Sequence, residues 1–327
     1  MNAAPYLAPD SPTVVLDTDL GHDLDDMLTL WAGTRLVRHL GVITTDETED
    51  YQRAHLARKV LNSHGRPDVP VIAGRRLPGA DQRFVMGGLV QPTWPACTDV
   101  LGYVSAICEK STHPVIWVGM GPASNLADVL TARPDLCPQI RLTMMGGWLD
   151  RYRNPDRASH NPRMDPAAFD LVMRTAHKPR LVMSSHTNVD ELAVTPTSDL
   201  YACVTRPNAP AELDLIAQNA SRWFAYRARR APQAVPSSWM NDPLTLAAAL
   251  DVPVVEFVPE TVRIEADARM NRDPGGYPIQ VSAEVDYSGF LSWLTAALPL
   301  TAKHTCPHSK PRSTHTIDTT GKGMPFV

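Results

Sequence analysis

The stretch PTVVLDTDLGHDLDD sets five aspartates, Asp17, Asp19, Asp23, Asp25 and Asp26, within ten residues directly behind a short apolar run. Val14, Val15 and Leu16 form a β-branched-rich strand signal that ends at Asp17. From Leu24 onward the apolar residues Leu24, Met27, Leu28, Leu30 and Trp31 recur at helical spacing. The carboxylates therefore occupy a strand-to-helix turn. In an open α/β sheet such a turn lies at the carboxyl ends of the strands, in the crevice where ligands bind. Helix capping accounts for one or two acids at a helix start, not for five. Negative charges this close repel one another, and some must protonate unless a cation neutralises them. Hard oxygen donors grouped in this way suit Ca²⁺ or Mg²⁺, not Zn²⁺.

The rest of the chain is consistent with such a sheet. PTVVLD leads into the helix beginning near Leu24, LGVITT into a helix over 50–63, and VPVIAG into a Gly- and Pro-rich loop over 79–95. PVIWVG precedes a helix over 123–130, IRLTMMGG precedes a long loop and a helix over 166–175, and RLVMSS reads as a further buried strand. This alternation predicts an α/β fold: an open, mainly parallel sheet with helices on both faces. Helices are expected over 211–230, 243–250 and 287–298, with strands at VPVVEFV and YPIQVSAEV. With no repeat and no strong linker, residues 1–300 read as one domain, and the polar stretch 301–327 as a disordered tail.

Bulk composition narrows the function classes. The 327 residues are 43% hydrophobic, enough for one large core. A net charge of -4 gives no footprint for a nucleic-acid polymer and no polybasic membrane anchor. No apolar run reaches transmembrane length, and the N-terminus lacks a signal-peptide pattern. Five scattered cysteines without a CxxC pair argue against a disulfide framework and a thiolate metal site, so a cytoplasmic location is expected.

Each strong strand signal ends in polar or glycine-rich chemistry. DETED follows the second, GMGPASN the fourth and MMGGW the fifth, SHNPRMDP lies in the loop after that, and SSWMNDPL stands before a late helix. Taken singly these are weak signals, since GMGP is commonly a tight turn and Asn-Asp-Pro a common helix start. Their weight comes from falling on one edge of the expected sheet.

DTDLGHDLDD resembles the N-terminal metal signature of the inosine–uridine-preferring nucleoside hydrolases, whose usual form is D-x-D-x-G-x-D-D. GVITTDETEDYQRAHLARKVL, WVGMGPASNLADVL, LTMMGGW, HNPRMDPAA and NDPLTLAAAL are similar to further segments of that family, in the same order, from about Val14 to Leu298. The resemblance implies Ca²⁺-dependent hydrolysis of a ribonucleoside to ribose and free base, in purine or pyrimidine salvage, by a homodimer or homotetramer. It also implies residue roles. Asp19 is a Ca²⁺ ligand and the base that activates water. Asp26, Asp242 and the Met120 carbonyl complete the metal shell, Asp25 holds a sugar hydroxyl and Asn161 hydrogen-bonds the ribose. Three carboxylates, a carbonyl and waters give the oxygen count that Ca²⁺ takes, at about 2.3–2.6 Å each.

Four departures from the family pattern bear on specificity. The signature is two residues longer, so Asp23 and Asp25 compete for one position, which Asp25 fills better because it adjoins Asp26. Ungapped counting sets Glu49 where the family has a substrate-binding Asn. Ser159 and His160 stand where it has Glu and an aromatic residue near the 5′-hydroxyl. Asn241 replaces its leaving-group histidine. His160 and His186 are candidate substrate contacts on loops, although a loop histidine is more often a surface residue. His22 is expected to point outward, with a pKa raised by the surrounding acids. Trp148, Trp223, Phe224, Tyr226 and Trp239 are candidates for a base-stacking wall, Trp223 and Tyr226 being equally a helix's core face. Arg227, Arg229 and Arg230 could meet a 5′-phosphate, or simply form a solvated face. Three alternatives remain: the same chemistry on a 5′-modified nucleoside or nucleotide, a metal-dependent phosphohydrolase, and a silent nucleoside-binding protein. Gly21 disfavours the phosphohydrolase, whose aspartate motif wants Thr or Val there.

Overall fold

The computed structural model describes residues 4–91, 95–149 and 156–298, and the tail expected over 301–327 lies outside them. The strands are β1 Val14–Thr18, β2 Leu40–Thr44, β3 Val71–Ala73, β4 Val115–Gly119, β5 Ile140–Met145, β6 Arg180–Val182, β7 Ala193–Val194, β8 Ser238–Trp239, β9 Val255–Ile264, β10 Met270–Arg272 and β11 Tyr277–Val285. The α-helices are α1 Asp25–Leu36, α2 Gln52–Ser63, α3 Val100–Lys110, α4 Ser124–Ala132, α5 His160–Met164, α6 Pro166–Thr175, α7 Ser184–Thr187, α8 Asp199–Thr205, α9 Asp214–Arg230, α10 Asn241–Ala249 and α11 Tyr287–Ala297.

Nine strands form one sheet in the order β10-β9-β11-β6-β5-β4-β1-β2-β3. From β3 across to β11 every neighbouring pair is parallel, and β9 alone is reversed, pairing antiparallel with β11 and with the edge strand β10. The chain winds outward from β1 through β2 to β3, then returns to start β4 on the other side of β1. The strand order therefore reverses between β1 and β4, and the crevice for a ligand opens at the carboxyl ends of these two strands. Asp19 follows β1 and Met120 follows β4, so the two segments expected to carry chemistry flank that crevice.

Side-chain alternation along β1 divides the work of the site. Val14 and Leu16 join the core under α1, α9, α10 and α11, whereas Val15 joins the opposite core with Ile43, Trp117 and the α4 residues Leu126 and Val129. The same period of two turns Asp17 toward α4 and Thr18 toward α1. Asn125 of α4 donates to Asp17 at 2.8 Å and to the Thr44 carbonyl at 3.0 Å, and Thr18 Oγ1 donates to Asp26 of α1. All residues of β1, β2 and β4 are buried, as expected for strands covered on both faces.

The expected helix over 211–230 is a short 3-10 turn, Ala211–Leu213, followed by α9. Sequence pattern missed α3, because only Val104 and Cys108 of its eleven residues are buried. Such a stripe is too narrow to register as periodicity; the recognisable signal is its cap, Asp99, which accepts from the Gly102 amide at 2.8 Å. The strand expected at VPVVEFV extends to Ile264, held by pairing with β11 as far as Val262 and with β10 at Ile264.

Asn125 also accepts from the Arg75 amide at 2.8 Å, so one side chain ties β1, β2 and the loop after β3 to α4. Asn125→Ala strands a buried carboxyl and two backbone groups. It is expected to lower stability by on the order of 3 kcal/mol, read as the shift in a urea unfolding curve.

Candidate active site

The floor of the crevice is acidic and dry. Asp19, Asp26 and Asp242 retain 4%, 1% and 3% of their exposure, and Asp25 is equally buried. Asp25 and Asp26 open α1, and Asp242 lies in the first turn of α10. The two helix starts thus converge on one point and turn their positive ends toward the acids. The second element is placed by the small β7–β8 pairing and by the Met240 amide, which donates to the Leu192 carbonyl at 3.0 Å. Ser238 of β8 reaches across to Asp23, donating at 3.2 Å, and accepts from the Leu24 amide at 3.2 Å. Asp23, Asp25 and Asp26 each bring a carboxylate oxygen to within 4.8 Å of the others.

Burial and mutual repulsion drive these groups toward protonation. Asp25, Asp26 and Asp242 titrate well above the ordinary carboxylate range, chiefly through burial and then through one another's charge. Burial pushes Asp17 up to about 8 despite its bond from Asn125, and Asp19 up to about 7 despite the nearby Arg53. Helix dipoles contribute about 0.3–1 kcal/mol per charge, which falls well short of offsetting burial of this many carboxylates. An all-oxygen set of this kind is what a hard divalent cation requires.

The turn is braced from behind by Arg53, a fully buried residue of α2. It donates to the Asp19 and Leu20 carbonyls, and its Nε donates to the Asp46 carbonyl at 2.8 Å. Asp46, in a left-handed conformation at φ 49°, receives Arg83 through both carboxylate oxygens at 2.6 Å each and lies 3.4 Å from Arg53. Within DETED the buried acids are therefore Asp46 and Glu47. Glu49, expected at the substrate, is 75% exposed at its side chain and faces Arg76 at 3.4 Å. Asp46 and Tyr51, on either side of it in the chain, are both left-handed, and the carboxylate that ungapped counting selects lies at the surface. Arg53 and Asp46 were not singled out from sequence, because nothing local shows that a helical arginine will cross to the first strand's turn.

His22 departs from expectation in both respects. It turns inward, its Nδ1 4.0 Å from Asp19, with its ring 5.4 Å from His160 and edge-on to Trp223 at 4.9 Å. Its pKa is lowered well below the ordinary value by burial, with His160 and the arginines adding repulsion. His160 is likewise pushed down, to about 3, and its Nε2 is buried without a hydrogen-bond partner. Trp223 lies in the core, its Nε1 donating to the Ser237 carbonyl at 2.9 Å, and its ring meets that of His22 beside Asp19. His186 is tied to Ser282 of β11 at 2.8 Å, away from the aspartate turn in its contacts.

Asn161 and Met120 meet each other. The Asn161 amide donates to the Met120 carbonyl at 2.6 Å, which occupies one of two lone pairs on that oxygen. Asp25 Oδ1 and Asn241 Oδ1 are buried with no hydrogen-bond partner in the protein. Such orphaned acceptors at a crevice are suited to ligand hydroxyls and ring N–H groups.

Residues 14–292 match the family model of the inosine-uridine preferring nucleoside hydrolases, and the chain belongs to that family. It is 28% identical over 179 residues to the pyrimidine-specific ribonucleoside hydrolase RihA of Photobacterium profundum, covering 50% of this chain and 58% of that protein. The chain thus spans little more than half the length of that relative. It is 24% identical over 313 residues to RihA of Salmonella arizonae, covering 87% of this chain and 97% of that protein. The solved plant nucleoside hydrolase PpNRh1 has the same fold, with a TM-score of 0.73 at 18% identity, over 89% of this chain and 99% of that one. Among the described residues no helix is long and apolar enough to cross a membrane.

The raised carboxyls have a consequence for stability without metal. A carboxyl that ionises near 3.8 when unfolded but at about 7 or about 8 when folded, as Asp19 and Asp17 do, costs most above the folded value. That cost shrinks as pH falls through the window and vanishes below about 4. In EDTA the melting temperature is therefore expected to be higher at pH 5.5 than at pH 8, and millimolar Ca²⁺ to remove most of the deficit at pH 8. A scanning-fluorimetry profile with no such crossover would contradict this.

Proposed function

We propose that the protein is a Ca²⁺-dependent ribonucleoside hydrolase, converting a ribonucleoside and water to ribose and free base. The observation that carries the reading is the joint burial of Asp19, Asp26 and Asp242, where Asp26 and Asp19 both push Asp242 up, together with the orphaned oxygen of Asp25, in a chain of the nucleoside hydrolase family. The ribonucleoside specificity in the names of the RihA relatives supports the substrate class.

On this reading Asp19, Asp26, Asp242 and the free lone pair of the Met120 carbonyl would hold the ion. When bound there, Ca²⁺ supplies positive charge that acidifies water and orients a vicinal diol. The chain's own residues do the rest. Asp25 accepts from a ribose hydroxyl through its unpartnered oxygen. Asp19 takes the proton as water oxygen bonds to the anomeric carbon and the C–N bond breaks, its electron pair leaving with the base. The surrounding carboxylates stabilise the oxocarbenium character that builds on the sugar. His22, Trp223 and His160 form one wall beside Asp19 and limit water there.

A panel of nucleosides and nucleotides with reducing-sugar detection in Ca²⁺ tests the reading. Sugar release supports it, phosphate release without sugar favours a phosphohydrolase, and binding without turnover a silent protein. Asp26→Asn and Asp242→Asn are each expected to abolish measurable turnover, with the protein still folded by circular dichroism. A 2′-deoxynucleoside should react far more slowly than its ribose counterpart, since leaving a buried acceptor unpaired costs about 1–3 kcal/mol or more.

Leaving-group activation sets a further expectation. Asn241 can donate only a neutral hydrogen bond, and His160, with its pKa at about 3, is unprotonated at neutral pH. General-acid help is typically worth about 10²–10⁴-fold, so inosine and uridine should be cleaved slowly and p-nitrophenyl riboside comparatively well. Asn241→His should raise kcat on the natural nucleosides and leave the activated substrate nearly unchanged. Rapid inosine hydrolysis by the wild type, undiminished in His160→Ala, would contradict this account.

A further inference from the structure

Arginines as well as aspartates bear on the histidine wall: Arg163 on His160 and Arg227 on His22. Several of the chain's arginines that leave solvent find carboxylates: Arg53 and Arg83 share Asp46, and Arg141 and Arg180 share Asp251. Two arginines beside the histidine wall form no ion pair with a carboxylate among the described residues. Arg163 lies three residues after His160 on α5, on the same side of that turn. It is half-buried and donates only to the Ala158 carbonyl, at 3.2 Å, and no carboxylate among the described residues pairs with it. Arg227 stands 5.7 Å over the Trp223 ring, whose edge meets His22, and its Nε is buried without a hydrogen-bond partner. Its charge is felt at both His22 and Asp23. Arg163 is felt at His160, whose buried Nε2 is also unpartnered and whose ring lies 5.4 Å from that of His22.

A neutral nucleoside gives these groups nothing to bind. Half-buried guanidinium groups without a counter-ion are costly, and their planar donor forks match a phosphate. Ribose stereochemistry selects the position. With the 2′,3′-diol at the acidic floor and the anomeric carbon facing Asp19, the 5′-carbon is the ribose substituent left to carry charge toward the rim. A dianion so near five carboxylates would be repelled unless cations met it, which is the task Arg163 and Arg227 are placed to perform.

We propose that the substrate is a ribonucleoside 5′-phosphate, its phosphate received by Arg163, Arg227 and the His160 ring nitrogen. This rests on the hydrolase reading above and names its substrate class. The test uses the full chain with Ca²⁺ and compares ribose 5-phosphate with ribose by isothermal titration calorimetry. Two charge-assisted contacts should favour ribose 5-phosphate by about tenfold or more. In Arg163→Gln/Arg227→Gln that preference should fall toward one, and in Arg163→Lys/Arg227→Lys part of it should return; a purely structural loss would weaken both sugars alike. Equal affinities in the wild type, or a preference undiminished by the glutamines, would overturn the proposal. Hydrolysis separates the two readings. Sugar release from uridine with no advantage for uridine 5′-monophosphate overturns the phosphate site and upholds the hydrolase. A phosphate preference in binding, lost in the glutamine variant, with no sugar released from either substrate upholds the phosphate site and overturns the hydrolase.

Discussion

Burial of like charge at one point governs this structure. Asp19, Asp25, Asp26 and Asp242 are withdrawn from water together, where each raises the cost of ionising the others. A fold tolerates that arrangement only if something opposes the repulsion, and the architecture supplies several partial answers. Two helix starts aim at the acids, Thr18 and Ser238 donate to Asp26 and Asp23, and Asn125 donates to Asp17 behind them. None of these carries a full positive charge. The remaining deficit is what the proposed cation would supply.

The positive charges that are present are spent elsewhere. Arg53 grips the backbone of the aspartate turn from below, and together with Arg83 it is matched by Asp46. This second layer holds the carbonyls of Asp19 and Leu20 while leaving the carboxylates themselves open to the crevice. A guanidinium in direct contact with the Asp19 or Asp26 carboxylate would have satisfied the charge and closed the site to a metal. Bracing through the main chain fixes position without neutralising chemistry.

The wall opposite the acids has a different character. His22, His160 and Trp223 pack ring against ring, and burial beside arginines keeps both imidazoles neutral at physiological pH. Neutral rings neither compete for the cation nor serve as strong acids. Arg163 bears on His160 and Arg227 on His22, so positive charge lies by the rings and negative charge among the aspartates. Such a separation of charge would suit the proposed substrate, which carries opposite features at its two ends.

Much of this was legible in the chain. The period-two apolar runs alternating with helical spacing gave the parallel α/β sheet, and placed the DTDLGHDLDD turn, Met120, Asn161 and Asp242 at strand or helix ends on one edge. Local pattern suffices there because strand burial and helix starts are written in neighbouring residues. It could not say that Glu49 would lie at the surface while Asp46 stayed inside, since Asp46 is held by Arg53 and Arg83 from elsewhere in the chain. Nor could it foresee that His22 would turn inward against Trp223, more than 200 residues away, or that Arg53 would cross from the second helix to the first strand's turn. Those outcomes depend on which distant groups meet in a buried space, where desolvation and unsatisfied hydrogen bonds decide between rotamers that cost nearly the same in an isolated segment. Sequence determined the type and order of the chemistry; tertiary packing decided which carboxylates face one another, which arginines remain uncompensated, and hence the sign of the charge at each end of the site.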